Sequence, residues 1–181
     1  VSSIVSSGEM GAWFYFQSNG QAVRAEDDTY VSRRINGYRY YFDENGVMAD
    51  GWAEVGERED GDITGISTLK YFGTADQGQM AVGWRYIYDE PTDSNDDFSY
   101  STASSSNASS SALPERDNWG DGAWYYFDSN GVPAYLSSEA HSLSEAVTRI
   151  NGQSYFFDEY GRMQSGMLGF RMEGGTILSA Y

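Results

Sequence analysis

The 181-residue sequence contains no cysteine, which excludes disulfides, thiolate metal ligands and thiol catalysis and leaves the redox compartment open. Histidine occurs once, at His141, and the surrounding LSSEAHSLSE contains no motif of a catalytic relay. The acidic run from Asp89 to Asp97 lacks the ligand spacing of a calcium-binding loop. We therefore expect no catalytic residue, no metal site and no cofactor, and we interpret the chain as a protein other than an enzyme.

Basic residues are also scarce, with 11 Lys and Arg against 27 Asp and Glu and a net charge of -16. Such a surface repels phosphate backbones and anionic lipid headgroups, so we expect no nucleic-acid partner and no membrane insertion. No apolar run reaches the roughly 18 residues that a membrane span needs. The N-terminal VSSIVSSGEM does not resemble a signal peptide, so if the protein is exported we expect its signal to lie outside this sequence. Cationic ligands and neutral ligands such as sugars remain open.

Aromatic residues are abundant, at 16% of the chain, and they occur with 21 glycines and 3 prolines. This composition favours short strands and tight turns. Self-comparison shows that the aromatics recur in repeats. GAWFYFQSNG (11–20) matches GAWYYFDSNG (122–131) at eight of ten positions, and INGYRYYFDENGVM (35–48) matches INGQSYFFDEYGRM (150–163) at nine of fourteen. With a more divergent copy at 67–84, the sequence contains five repeats.

Each repeat predicts a β-hairpin. In the second copy, RYYF forms the first strand, DENG (43–46) forms the turn, and Val47 and Met48 begin the return strand. Gly46 is expected at a positive φ. An isolated hairpin is marginally stable in water, whereas stacked copies bury each other's aromatic faces. The sequence therefore predicts an all-β solenoid of stacked β-hairpin repeats, interrupted by one long loop.

The spacing of the repeats predicts the organisation of the chain. Successive phenylalanine anchors are 26, 30, 55 and 30 residues apart, at positions 16, 42, 72, 127 and 157. We assign repeats one to three to residues 1–85, an acidic and then serine-rich insertion or linker to 86–118, and repeats four and five to 119–181. The insertion is either a loop that extends from a continuous array or a linker between two half-arrays. SLSEAV (142–147) predicts one or two helical turns with Ser142 as the N-cap.

The pattern G-x-W-Y-Y-F-D-x-x-G-x-M followed by Gly-Trp resembles the cell-wall-binding, or choline-binding, repeats of Gram-positive surface proteins. Similar repeats occur in glucan-binding proteins, glucosyltransferases and the receptor-binding ends of large toxins. The resemblance implies a β-solenoid with ligands between consecutive repeats. It also implies a secreted or cell-surface, cell-wall-associated binding module without catalytic activity.

The resemblance further implies an aromatic cage for a quaternary ammonium, formed by the Gly-Trp of one repeat and the W-x-Y of the next. Ring faces attract such a cation by about 0.5–2 kcal/mol each. Carried over to this sequence, the best cage combines Trp84 with Trp124 and Tyr126. The latter two are two positions apart and therefore lie on one face of a strand.

Two further aromatic sets keep only part of this pattern. Trp52 pairs with Tyr71, where Leu69 replaces the expected tryptophan, and Trp13 with Tyr15 keeps the strand half alone. These departures favour shallow sugar-stacking sites over full choline cages. We therefore predict binding to a cell-wall polysaccharide or extracellular glucan. The alternatives are choline recognition on teichoic acids, and a structural stalk or protein-binding adhesin, in which the rings at 84, 124 and 126 are buried or stacked on one another.

Overall fold

A computed structural model describes residues 11–89, 91, 122–174 and 176–180, with backbone alone in the last two strands. The strands in these ranges are β1 Val31–Ile35, β2 Tyr38–Phe42, β3 Trp52–Glu54, β4 Leu69–Tyr71, β5 Gly83–Ile87, β6 Ala123–Phe127, β7 Val147–Ile150, β8 Gln153–Phe157, β9 Met163–Gln164, β10 Phe170–Glu173 and β11 Thr176–Ala180. Helical structure in the same ranges is limited to a 3-10 turn, Ile66–Thr68, and a four-residue helix, α1 Leu143–Ala146.

All strand pairs in these ranges are antiparallel. Among the described residues, β1–β2, β3–β4, β5–β6 and β10–β11 form two-stranded hairpins, and β7–β8–β9 form a three-stranded sheet. The predicted all-β solenoid of stacked hairpins is confirmed. The β10–β11 hairpin is an addition that the sequence repeats did not indicate.

The aromatic strands β2 and β8 pair along their length with the strand that precedes each of them in the chain. This corrects the prediction, in which the aromatic strand pairs with the segment that follows it. β1 and β2 meet at Asn36-Gly37, where both residues have positive φ, 50° and 89°. Asn151-Gly152 joins β7 and β8 in the same way. Asn-Gly is the preferred pair for a turn of this handedness, because both central residues need positive φ. The predicted turn at 43–46 also forms, but the return segment pairs with β2 through a single bridge.

Aspartates at equivalent positions hold the second turn of three repeats. The Asp43 side chain accepts hydrogen bonds from the backbone N–H groups of Asn45, at 2.9 Å, and Val47, at 2.7 Å. Asp128 and Asp158 accept the equivalent pairs of N–H groups two and four residues on. The recurrence of aspartate at these positions is therefore explained by turn chemistry.

Glycines in these turns allow consecutive repeats to make close contact. A Cβ at Gly46 would come within 3.2 Å of the Val23 carbonyl oxygen, and one at Gly131 within 2.7 Å of the Met80 sulfur. Backbone hydrogen bonds also connect consecutive repeats at these contacts, which we call joints. One example runs from Leu136 N–H to the carbonyl oxygen of Asp158, at 3.0 Å. Each turn therefore packs on the segment that follows the aromatic strand of the preceding repeat.

The phenylalanine anchors form the interior of this stack. Phe42, Phe72, Phe127 and Phe157 are buried, whereas Phe16 of the first repeat is exposed. Rings from other repeats cover them: Tyr15 lies 6.3 Å from Phe42, and Tyr41 lies 5.2 Å from Phe72, measured between centroids. The core is thus distributed along the array, one anchor per joint.

The strands on either side of the long insertion pair with each other. β5 and β6 are hydrogen-bonded over their full length. Tyr86 and Ile87 belong to β5, although they lie within the predicted insertion 86–118. The division into 1–85, 86–118 and 119–181 stays a prediction, since residues 92–121 lie outside the described part of the chain.

The helical turn predicted at 142–147 is confirmed as α1. Ser142 is its N-cap residue but makes no side-chain capping bond. Glu145 instead accepts a hydrogen bond from the backbone N–H of His141, at 2.8 Å. The acidic residue therefore provides the N-terminal bond of this helix.

The connection between β3 and β4 depends on the buried carboxylate of Asp62. Its Oδ1 accepts a hydrogen bond from Gly65 N–H at 2.8 Å. Its Oδ2 accepts bonds from the Ser67 N–H at 2.8 Å and the Ser67 hydroxyl at 2.6 Å. One side chain thus satisfies several buried donors.

We expect Asp62→Ala to lower the free energy of unfolding by about 2–3 kcal/mol, because it leaves buried N–H groups without an acceptor. Asp62→Asn keeps one acceptor oxygen and should cost less. Urea denaturation followed by circular dichroism measures both, with the exposed Asp60→Ala as the matched control. Equal stability of the Asp62→Ala and Asp60→Ala variants would contradict this role.

Candidate ligand-binding site

The β5–β6 hairpin carries a row of aromatic side chains on one face. Trp84 and Tyr86 alternate along β5 and lie opposite Tyr126 and Trp124 of β6, respectively. Tyr88, one residue beyond the end of β5, continues the row. We call these five residues the aromatic ladder.

Neighbouring rings of the ladder touch, mostly edge to face. From the outer end inwards, the centroid distances are 5.1 Å for Tyr88–Tyr86, 5.3 Å for Tyr86–Trp124, 6.3 Å for Trp124–Trp84 and 5.3 Å for Trp84–Tyr126. Tyr88 is 68% exposed, Trp124 44% and Tyr86 42%. The ladder is therefore an open row of rings on the surface.

The inner end of the ladder is anchored in the next repeat. Trp84 lies 4.8 Å from Tyr155 and 5.9 Å from Phe157, both on β8. Because Phe157 is buried, this contact fixes the Trp84 indole against the core. The ladder thus runs from a joint between repeats out to solvent.

The structure brings together Trp84, Trp124 and Tyr126, the set predicted as the best site; their binding of a ligand stays a prediction. Sequence reasoning missed Tyr86 and Tyr88 as neighbours of this set. The signal was present in WRYIY, because residues 84, 86 and 88 alternate and therefore face the same side of a strand.

Trp52 and Tyr71, the second predicted set, lie in a different environment. Their ring centroids are 5.2 Å apart, but Trp52 is only 8% exposed and also packs on Tyr125 and Phe127. The indole N–H of Trp52 donates a hydrogen bond to the backbone carbonyl of Asp89, at 3.1 Å. Trp52 is a core residue in this structure, so we do not include this set in the candidate site.

The surroundings of Trp52 repeat those of Trp84 one joint earlier. Each tryptophan packs on a tyrosine of its strand partner and on a tyrosine and a phenylalanine of another repeat. Leu69 occupies the position that Trp124 has at the later joint, and it is fully buried. The substitution of an exposed ring by a buried leucine therefore distinguishes the two joints.

Trp13 and Tyr15, the third predicted set, are exposed on the first repeat. The Trp13 indole N–H donates to the Asp76 carboxylate at 3.3 Å, which connects repeats one and three. Tyr15 packs on Phe42 of the second repeat. Both residues make contacts between repeats, and a ligand-binding role for them stays a prediction.

A cleft of about 310 Å³ adjoins the ladder, and Tyr126 is part of its wall. Its other walls include Glu59, Asp128 and Tyr135. The Tyr135 hydroxyl donates a hydrogen bond to Glu59 Oε2 at 3.1 Å. Burial, this hydrogen bond and the nearby acidic charges raise the pKa of Tyr135 well above its usual value. The cleft therefore combines aromatic surfaces with carboxylate oxygens.

Within the described ranges, no group of three acidic or histidine side chains is arranged to hold a metal ion. In the same ranges, no helix has the length and apolar character needed to cross a membrane. The acidic residues that follow Asp89 in this run lie outside these ranges.

Three segments of the chain match the family model described as "Putative cell wall binding repeat", at residues 6–22, 33–48 and 117–132. These segments fall in repeats one, two and four. The predicted resemblance is confirmed, and the chain carries repeats of this cell-wall-binding type. No curated protein matches the chain.

Solved structures of choline-binding proteins are similar to the chain at low sequence identity. CbpF in complex with ipratropium, a choline-binding protein of Streptococcus pneumoniae, has 18% identity and a TM-score of 0.49 over 96% of this chain and 39% of that chain. The modular autolysin LytC of S. pneumoniae with a synthetic peptidoglycan ligand has 18% identity and a TM-score of 0.40, covering 92% of this chain and 26% of that one. The chain therefore spans less than half the length of either protein.

The buried and exposed tryptophans should differ sharply in their contribution to stability. We expect Trp52→Ala to lower the free energy of unfolding by about 3–5 kcal/mol, because it leaves a cavity in the core. Trp124→Ala should cost much less, since the ring is 44% exposed. Urea denaturation of the two variants checks this order, and equal losses would contradict the core assignment of Trp52.

Alkaline pH should destabilise the protein through its half-buried tyrosines. Burial raises the pKa of Tyr30, Tyr71, Tyr135 and Tyr160 above the usual 10.0, so the folded chain keeps these protons when the unfolded chain loses them. The free energy of unfolding should therefore fall as the pH rises above about 10.

The midpoints of urea denaturation at about pH 9 and about pH 11 measure this loss of stability. Tyr135→Phe should reduce it, because the variant has no phenol to ionise. Tyr38→Phe, at the exposed end of β2, is the control. A loss that is the same in wild type and Tyr135→Phe would contradict the contribution of Tyr135.

Proposed function

We propose that the chain is a non-catalytic module that binds a cell-wall polysaccharide or an extracellular glucan along the aromatic ladder, in a secreted or cell-surface protein. The observation that carries the proposal is the exposure of Tyr88, Tyr86 and Trp124 in one row, because contact between the rings is also what the structural-stalk alternative expects. The match to cell-wall-binding repeats supports the same location and role.

An elongated row suits a linear polymer better than a compact ligand. The apolar C–H face of a pyranose can cover an aromatic ring while its hydroxyl groups stay in water. Aromatic side chains also lose little conformational entropy when they bind, because they have few rotatable bonds. Consecutive sugar residues thus find consecutive rings, without a closed pocket.

Affinity at one ladder is weak, on the order of millimolar, or about 4 kcal/mol, because the rings are open to solvent. Several repeats acting on one polymer raise the effective affinity, since the second contact becomes intramolecular. Stable attachment therefore needs a long ligand with repeated units.

Choline is the second candidate, and the inner end of the ladder favours it. The Trp84 ring lies at 84° to Trp124 and at 64° to Tyr126, so its face points in a different direction from theirs. A quaternary ammonium is attracted to such faces, and the net charge of -16 adds to the attraction. The open outer end of the ladder has no role in this candidate.

The test is parallel titration with α-glucan oligosaccharides and with choline chloride, against sodium chloride, followed by tryptophan fluorescence. Affinity electrophoresis through gels that contain the polysaccharide gives a readout that does not depend on the mutated fluorophore. We expect saturation by sugar and an about tenfold weaker affinity for Trp124→Ala, or about 1.4 kcal/mol. Tyr38→Ala, which removes an exposed ring outside the ladder, is the matched control.

Other outcomes identify the alternatives. Saturation by choline alone supports the second candidate and contradicts the glycan proposal. A flat response to both ligands by folded protein contradicts both and leaves a structural stalk or a protein-binding adhesin.

A further inference from the structure

The cleft beside the ladder is built from three separate parts of the chain. Glu59 comes from the connection between β3 and β4, Asp128 and Tyr135 come from the segment after β6, and Thr148 comes from β7. Its volume of about 310 Å³ is at the lower end of the range for small-ligand pockets, which is about 300–1,000 Å³. The cleft is therefore large enough for one small ligand group.

Two carboxylates at the cleft keep oxygen atoms available. Asp128 uses Oδ1 to accept the N–H groups of Asn130 and Val132, and Glu59 uses Oε2 to accept the Tyr135 hydroxyl. In the described part of the chain, Asp128 Oδ2 and Glu59 Oε1 accept no hydrogen bond. Each can accept one from a ligand hydroxyl group without breaking a bond that holds the fold.

A buried lysine partly balances the charge of these carboxylates. The Lys70 ammonium group donates a hydrogen bond to the Asn130 carbonyl oxygen at 2.7 Å, beneath the Asp128 turn. Burial lowers the pKa of Lys70, while the charges of Asp128 and Glu59 act in the opposite direction. Lys70 offsets one of these two charges, and Asp60 and Asp62 add negative charge near Tyr135, so the cleft disfavours an anion and is compatible with a neutral hydroxylated ligand.

We propose that this cleft is a binding subsite for one neutral pyranose residue, whose hydroxyl groups donate to Asp128 and Glu59 beside the ring of Tyr135. This proposal rests on the proposed glycan binding and extends it. Tyr126 connects the two places, since its ring lies 5.3 Å from Trp84 and also lines the cleft. Tyr126 is therefore common to the ladder and the cleft, and we expect a glycan that lies along the ladder to continue into the cleft.

Oligosaccharides of two to six glucose units, titrated into the whole chain and followed by calorimetry, test the subsite. We expect affinity to increase with length in wild type, until the sugar contacts both the ladder and the cleft. Glu59→Gln and Tyr135→Ala should each weaken binding of the hexasaccharide about tenfold. Glu57→Gln, which removes an exposed carboxylate outside the cleft, should bind like wild type. Circular dichroism establishes that each variant is folded, and Glu59→Gln keeps the test valid if Tyr135→Ala does not fold.

The outcomes separate the two proposals. Hexasaccharide binding that is weakened by Trp124→Ala but not by Glu59→Gln or Tyr135→Ala overturns the subsite and leaves the ladder proposal standing. No binding by folded wild type overturns both. Tetramethylammonium chloride, with sodium chloride as the control, tests for a cation in the cleft. If it weakens hexasaccharide binding by wild type but not by Glu59→Gln, the assignment to a neutral sugar is overturned.

Discussion

The contact between consecutive repeats is the interaction on which the structure depends. A two-stranded hairpin cannot cover its own aromatic face, and each buried phenylalanine anchor is completed by residues from other repeats. The turn glycine allows the close approach, and the turn aspartate holds the shape that docks. Stability is therefore shared along the array, as expected for a solenoid whose units contact mainly their neighbours.

The same contacts explain why one hairpin presents a surface of rings. Trp84 is fixed at a joint by Tyr155 and Phe157, while the outer rings of the ladder extend away from it along β5 and β6. At the earlier joint, Trp52 has an equivalent position but is covered, and its N–H is bound by Asp89. The same repeated sequence pattern thus supplies both buried and exposed aromatic residues. Whether a given ring is buried depends on the residues that surround its joint.

The sequence was sufficient for the repeats and the hairpin fold, because these follow from periodicity and strand alternation. The grouping of Trp84 with Trp124 and Tyr126 came from the resemblance to cell-wall-binding repeats. The Asn36-Gly37 turn and the position of Tyr86 were also readable from short-range patterns. The burial of Trp52 was not, because it depends on contacts with Asp89 and Tyr125, which are far away in the chain. The cleft could not be predicted from the sequence either, since Glu59 and Tyr135 meet only through the packing of different repeats.

Because β5 pairs directly with β6, the geometry of the candidate binding surface does not depend on the length of the chain that joins the two strands. Residues 88–122 connect the two strands, and the register is set by the strands and their neighbours instead of by a tight turn. The entropic cost of closing a loop grows only logarithmically, by about 0.6 kcal/mol for each doubling of its length. Changes of length between Pro91 and Gly122 are therefore nearly neutral for the hairpin, so this part of the connection can diverge or acquire new sequence while Tyr88 and the rest of the ladder are inherited unchanged.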